Sequence, residues 1–215
     1  MKAVILANGQ PPTAKLAKSL IEAADVFLAA DGAAFYCHAL NLKPDIVSGD
    51  FDSISIENAR EIFPDAEIVP TDDQDFADTE KAILLLVERG VTEITLIGAT
   101  GGRMDFTFAN IALLLRYSRE VGLCCLHDDG TGHITEIRAV VGGRACIFEA
   151  QQGDALSLLA LENDVTVSVS GVQWTLDNAS LPIGTHGISN VVTENEVVVT
   201  AHSGTVLVFR AWVER

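Results

Sequence analysis

The sequence predicts an α/β domain, built on a mainly parallel sheet with helices on both faces, followed by an all-β, sandwich-like domain. Three observations predict it. Residues 1–128 alternate short, wholly apolar runs with segments whose apolar residues recur every three or four positions, the pattern of buried parallel strands joined by packed helices. Residues 129–215 carry β-rich runs separated by glycine turns, with no convincing helix. The composition, 48% hydrophobic and 20% charged, supplies enough apolar surface for sizeable cores and too little charge for disorder.

In the first region Val4–Ala7, Val26–Ala29, Ile46–Val47, Ile68–Val69, Ile94–Ile97 and Leu123–Leu126 read as strands. Each is apolar along its whole length, as a strand covered on both faces must be. Between them Lys15–Ala24, Ala33–Leu40, Ile56–Ile62, Thr79–Arg89 and Phe106–Arg119 read as helices. The stretch Ala82-Ile83-Leu84-Leu85-Leu86-Val87 is apolar nearly all round, which suits a helix lying on a sheet. The texture changes at Asp128-Asp129-Gly130-Thr131-Gly132. Beyond it His133–Val140, Ala145–Phe148, Ala155–Ala160, Val165–Val169, Glu196–Thr200 and Thr205–Trp212 read as strands. Val165-Thr166-Val167-Ser168-Val169 alternates apolar and polar, giving one buried and one wet face. Gly142-Gly143, Gly153-Asp154, Gly171, Gly184 and Ser203-Gly204 supply turns. The expected division is therefore 1–128 and 129–215.

Thirty acidic residues against fourteen basic ones leave a formal charge of −16. That field repels a phosphate backbone, and no Lys/Arg cluster offsets it, so nucleic acid is not an expected partner. The opening Met1–Gly9 is too short an apolar run for a signal peptide, and no stretch is long enough to cross a bilayer. Cys37, Cys124, Cys125 and Cys146 show no C-x-x-C spacing, so they read as reduced, buried thiols of a cytoplasmic protein.

Acidic side chains gather in the loops that follow the strands: Asp31, then Asp50 and Asp52, then Asp72, Asp73, Asp75 and Asp78, then Asp105. In a parallel sheet these loops share one edge, and ligands bind there. Like charges ~4 Å apart cost on the order of 4 kcal/mol at an effective dielectric near 20. A hard divalent ion such as Mg²⁺, which prefers oxygen ligands and is often shared with substrate phosphates, removes that cost. Gly49-Asp50-Phe51-Asp52-Ser53 is the strongest element, because carboxylates at i and i+2 point the same way in extended chain. Asp52 or Ser53 as the cap of the helix near Ser55, and Asp78 as the cap of the next, are the alternative readings.

Gly98-Ala99-Thr100-Gly101-Gly102-Arg103 opens a helix, a setting in which backbone N–H groups at Gly101 and Gly102 can receive phosphate. Arg103 can hold phosphate bidentately, or pair with an acid. The five histidines show neither metal-ligand spacing nor a Ser or Cys partner. What remains is a metal-plus-arginine arrangement for transfer of a phosphorus group.

In chain order, Ala29-Ala30-Asp31-Gly32-Ala33-Ala34, Pro44-Asp45 with Gly49-Asp50-Phe51-Asp52-Ser53, Asp75-Phe76-Ala77-Asp78-Thr79-Glu80-Lys81, Gly101-Gly102-Arg103-Met104-Asp105 with Ala109-Asn110, and Gly187-Ile188-Ser189-Asn190 resemble the thiamine pyrophosphokinase family. The resemblance spans nearly the whole chain. It implies a homodimer that transfers pyrophosphate from ATP to the hydroxyl of thiamine, giving thiamine diphosphate and AMP. It implies Mg²⁺ held by Asp50, Asp52 and Asp78, and ATP met by Asp31, Gly101, Gly102 and Arg103. Asp105 falls where the substrate hydroxyl is expected. Gln74, Ser189 and Asn190 fall at thiamine-side positions, and Trp174 where a stacking aromatic is frequent. The chain departs from the family pattern at Ala33, Phe35 and Ala77, and most of all at Phe106, where the family commonly has His or Gln. Two other functions are weighed against this one. A non-catalytic thiamine or nucleotide sensor of the same fold would account for Phe106. A phosphatase of the haloacid dehalogenase type shares the D-x-D but normally carries it after its first strand.

Overall fold

The computed structural model describes residues 1–213. They divide into two compact units, Met1–Leu113 with Val121–Gly130, and Leu114–Glu120 with the described residues from Thr131 onward.

The first unit holds six strands, β1 (Lys2–Leu6), β2 (Val26–Ala30), β3 (Ile46–Gly49), β4 (Glu67–Pro70), β5 (Glu93–Ile97) and β6 (Gly122–Asp128). They lie in the order β6-β5-β1-β2-β3-β4, and every pair is parallel. The apolar runs of β1, β2, β3, β5 and β6 are largely buried, with Ile5, Leu6, Leu28, Leu96 and Ile97 inaccessible to solvent, whereas Ile68 and Val69 on the outermost β4 are half-buried. The crossovers are α1 (Ala14–Glu22), α2 (Ala33–Leu40), α3 (Ile56–Ile62), α4 (Asp78–Glu88) and α5 (Met104–Tyr117). Small side chains (Ala17, Ala33, Ala34, Ala59 and Ala82) are fully buried on the first four, which lets those helices approach the sheet closely.

Strand order places the site. The chain steps outward from β1 through β2 and β3 to β4, then returns along α4 to put β5 on the other side of β1. The loops after β1 and β5 therefore part in opposite directions, leaving a crevice at their carboxyl ends. The register pairs Leu6 with both Ala29 and Ile97, and Ala30 with Ser48, so the loops after β1, β2, β3 and β5 leave from one rim.

The helix starts settle the capping alternatives. Ser55, not Asp52 or Ser53, caps α3, its hydroxyl accepting the Asn58 N–H. Ala77 occupies the cap position of α4 and offers no side-chain bond, which leaves the Asp78 carboxylate for other partners. A carboxylate in a first helical turn is also favoured by the helix dipole.

The second unit is a sandwich of antiparallel strands. One layer runs β12 (Gly187–Val191), β9 (Ala155–Ala160), β14 (Thr205–Val213), β7 (His133–Val141), and the other β11 (Leu176–Ser180), β10 (Thr166–Ser170), β13 (Glu196–Ser203), β8 (Arg144–Glu149). Inward residues alternate along each strand. Leu156, Leu158, Val206 and Val208 meet Val167, Val169, Val197 and Val199 in one core. The sequence reading missed β11 and β12. Both are outermost strands with mostly exposed or half-buried residues, so neither carries the apolar alternation that marks a strand in sequence.

Gly171 turns the chain beyond β10 at φ +80°, and a Cβ there would run into the Glu196 carbonyl. Gly171→Ala is expected to cost about 2–4 kcal/mol of stability, since both the left-handed backbone and the neighbouring main chain oppose it. A urea denaturation midpoint equal to that of the unmodified protein would contradict this.

Candidate active site

Three loops of the first unit bring acids together. Asp31 follows β2, Asp50 follows β3, and Asp78 begins α4 after the loop that leaves β4. One oxygen from each of Asp31, Asp50 and Asp78 lies within 4.8 Å of the others. Gly49 makes this possible, because a Cβ there would stand 2.5 Å from the Asp31 Cβ. Any larger residue would push the two strand ends apart.

Asp52 joins the group by a different route from the one its spacing suggests. Phe51 is left-handed at φ +60°, so the D-x-D segment is a turn, and the extended-chain argument for its two carboxylates fails. The Asp52 N–H donates to Asp50 Oδ1 at 3.3 Å, and the Ser53 hydroxyl donates to Asp52 Oδ1 at 3.0 Å. Asp52 still lines the same cavity as Asp31 and Asp78.

Asp31 is buried. Its Oδ2 accepts the Ser53 N–H at 3.3 Å, while Oδ1 has no partner. Burial raises its carboxyl above the ordinary 3.8, against the bonds from Ser53 and with the Asp52 and Asp78 carboxyls adding to the rise. Burial likewise raises Asp78; the Lys81 ammonium opposes the shift, and Asp50 and Asp52 reinforce it. An orphaned carboxylate oxygen among convergent oxygen donors fits a hard divalent cation such as Mg²⁺; the set that converges is Asp31, Asp50 and Asp78, with Asp52 bordering the cavity beside it.

Asp31, Asp52 and Asp78 form one wall of a cavity of about 670 Å³. The opposite wall comes from the loops after β1 and β5. The Gly9 N–H donates to the Gly98 carbonyl at 2.7 Å and the Gln10 N–H to that of Thr100 at 2.8 Å. Asn110, on α5, donates from Nδ2 to the Ala99 carbonyl at 2.7 Å, and Thr100 Oγ1 lies 2.7 Å from His127 Nδ1. So braced, the loop presents Gly101 and Gly102, both left-handed, at φ +78° and +67°. A Cβ on Gly102 would meet nothing within 4 Å, so the main chain is open to solvent at the start of a 14-residue helix.

Arg103 also lines the cavity. Its side chain, 72% exposed, donates to both oxygens of Asp105, at 3.1 and 2.5 Å, and its guanidinium sits 4.5 Å from the Phe106 ring centroid. Both alternatives for Arg103 thus meet in one place: it borders the cavity and it pairs with an acid. The Arg103 bonds hold the Asp105 carboxyl below the usual carboxylate range, which suits orienting a hydroxyl better than taking its proton.

In the second unit Trp174 is 56% exposed. Asn190 holds its main chain from both sides, accepting the Trp174 N–H at 3.1 Å and donating to its carbonyl at 2.8 Å. The Asn190 carboxamide is therefore spent on presenting Trp174. Ser189 is left-handed at φ +63°, with its N–H donating to Ser157 Oγ at 3.0 Å and its own side chain exposed. Gln74 lies in the exposed loop before α4 and does not line the cavity of the first unit. Sequence reasoning assigned no role to Gln10, Tyr36 and Lys81. The first two line the cavity, yet nothing in their neighbours marks them, and only the strand order brings them there.

Residues 17–125 match the family model for "Thiamin pyrophosphokinase, catalytic domain", and residues 146–206 the one for "Thiamin pyrophosphokinase, vitamin B1 binding domain". Among curated proteins, thiamine pyrophosphokinase 1 of Oryza sativa subsp. japonica is 30% identical over 175 residues, covering 76% of this chain and 65% of that protein. Thiamine pyrophosphokinase 1 of Arabidopsis thaliana is 28% identical over 182 residues, covering 75% and 63%. The fold is also that of the thiamine pyrophosphokinase crystal structure from Bacillus subtilis, with a TM-score of 0.82 at 21% identity over 98% of this chain and 99% of that one. The Candida albicans structure gives 0.78 at 17% identity over 98% and 88%.

Proposed function

Since the chain belongs to the thiamin pyrophosphokinase family, we propose that it transfers pyrophosphate from ATP to the hydroxyl of thiamine, releasing AMP and thiamine diphosphate. The observation that carries the proposal is the meeting of Asp31, Asp50 and Asp78 across a cavity from an open glycine turn at a helix N-terminus.

Asp50, Asp52 and Asp78, with the unpartnered oxygen of Asp31, would hold Mg²⁺. The ion supplies charge neutralisation on the polyphosphate and draws electron density from the phosphorus under attack. Gly101 and Gly102 offer main-chain N–H groups, and Arg103 a guanidinium, to the phosphates on the facing wall. Asp105, fixed by Arg103, aligns the thiamine hydroxyl for in-line attack on the β-phosphorus, and AMP departs as the leaving group. Phe106 adds no polar contact of its own; its ring backs Arg103, so here the guanidinium's aim depends on an aromatic face. The Trp174 face, held open by Asn190 and flanked by Ser189, suits the cationic thiazolium or the flat pyrimidine, and Gln74 an amide contact to it. The proposal extends to a homodimer, supported by the exposed apolar side chains of Met104 and Phe108 along α5. It extends also to the cytoplasm, supported by the unbridged thiols of Cys37, Cys125 and Cys146.

Chromatography after incubation with thiamine, ATP and Mg²⁺ is expected to show thiamine diphosphate and AMP in equal amounts, and neither once EDTA is added. ADP as the nucleotide product would overturn the β-phosphorus assignment. Thiamine binding by calorimetry without any product would point to the sensor instead.

A further inference from the structure

Lys81 is 7% exposed, and lysine is almost never buried to that degree unless paired. One of its partners is a carboxylate of the site. The ammonium lies 3.2 Å from Asp78 Oδ1, one turn back on the same helix, and 3.4 Å from the Thr71 carbonyl. Around it on α4, Ala82, Ile83 and Leu86 are buried apolar residues, so an uncharged side chain would suit that environment better. The fold has instead set the Lys81 side-chain nitrogen against one of the carboxylates proposed to hold a metal.

We propose that Lys81 is a resident counter-ion of the acidic cluster, one that weakens binding of a divalent cation on its own and so makes metal entry depend on the nucleotide. The inference rests on the reading of Asp31, Asp50, Asp52 and Asp78 as a cation site. The physical argument is a balance of charges. Four carboxylates and one ammonium leave three negative charges where four would otherwise face the ion. The ammonium bonds Asp78 at Oδ1, and two cations sharing one carboxylate repel each other strongly in a partly buried setting. A polyphosphate reverses the balance, because its negative charge compensates both cations at once. Metal and nucleotide then bind with positive coupling, each raising the other's affinity by the same factor. Lys81 touches neither reacting atom in this scheme; it sets the order of assembly.

The test is a Mn²⁺ titration of the full chain, followed by electron paramagnetic resonance of the free ion, with and without the α,β-methylene analogue of ATP. The unmodified protein is expected to bind Mn²⁺ weakly alone and at least about tenfold more tightly with the analogue. Lys81→Met, of similar length and without charge, is expected to bind Mn²⁺ alone at least about tenfold more tightly than the unmodified protein, with most of the coupling lost. Lys81→Arg, which keeps the charge, is expected to stay close to the unmodified protein, and Lys81→Gln serves should the Met variant not fold. Unchanged or weaker Mn²⁺ binding by the uncharged variants, in a protein whose binding still responds to the analogue, would overturn the role of Lys81 alone. Absence of Mn²⁺ binding by the unmodified protein, even with the analogue, would overturn the cation site itself and the inference with it.

Discussion

Asp50→Asn is expected to give a folded protein whose turnover has dropped at least about a thousandfold, the loss that several kcal/mol of missing charge stabilisation in the transition state produces. Two features of Asp50 separate the effect on chemistry from any effect on stability. Its side chain is exposed at the rim, and its Oδ1 accepts the Asp52 N–H at 3.3 Å, a bond that an asparagine oxygen can keep. The substitution removes the charge of one of three convergent carboxylates while leaving the Phe51 turn its internal support. Stability is expected to move by no more than about 0.5 kcal/mol, as for an ordinary exposed site. Thermal denaturation beside a chromatographic rate measurement checks both halves. A variant within threefold of the unmodified rate would take Asp50 out of the site, and one that fails to fold would show the turn to be its real duty.

Much of this site was legible because parallel-sheet topology is written locally. Each strand is an apolar run and each helix a three-to-four periodicity, so Val26–Ala30 and Ile46–Gly49 announce themselves, and the acids after them inherit a common rim. What stayed hidden depends on contacts between segments. The resemblance implies a nucleotide contact for Asp31, and the shared rim already groups it with Asp50 and Asp78; what the structure adds is how closely Gly49 lets β3 pass the Asp31 backbone. No local pattern encodes that approach. Lys81 carries no assigned role in the sequence, and only the packing of α4 buries it. Phe51 offered no warning of a left-handed backbone, since glycine and asparagine are the residues that usually signal one. In the second unit the inner strands were legible from their alternation. The outermost β11 and β12 were not, having little apolar surface to bury, and β12 carries Ser189 and Asn190.

Asp31→Asn should show what the acidic cluster costs the fold. Turnover is expected to fall at least about a hundredfold, because a buried oxygen donor is lost. The metal-free protein, held in EDTA, is nevertheless expected to gain stability near neutral pH, by about 0.5–2 kcal/mol, the usual size when a site kept for function is relaxed. The sign follows from burial. The Asp31 carboxyl is raised in the folded state above the ordinary 3.8, so the folded protein keeps this proton to higher pH than the unfolded chain does. Its contribution is most favourable below 3.8 and declines as pH rises through the folded value, above which the whole penalty for a buried carboxylate is present. Asp78 is raised too and adds to the same decline. Asp128 runs the other way: burial would lift it, but bonds from Thr13 and Gly130 outweigh that and hold it low, so its stabilisation is lost on acidification. The single curve mixes these trends, whereas the difference between the variant and the unmodified protein isolates Asp31. That difference is expected to favour the unmodified protein or vanish in acid, and to favour the variant increasingly toward neutrality. Saturating Mg²⁺ with a nucleotide analogue should then reverse the order, since only the unmodified site gains the full binding energy. A difference curve flat with pH would mean that Asp31 is not a strained carboxylate at all, and its unpartnered oxygen would no longer argue for a cation.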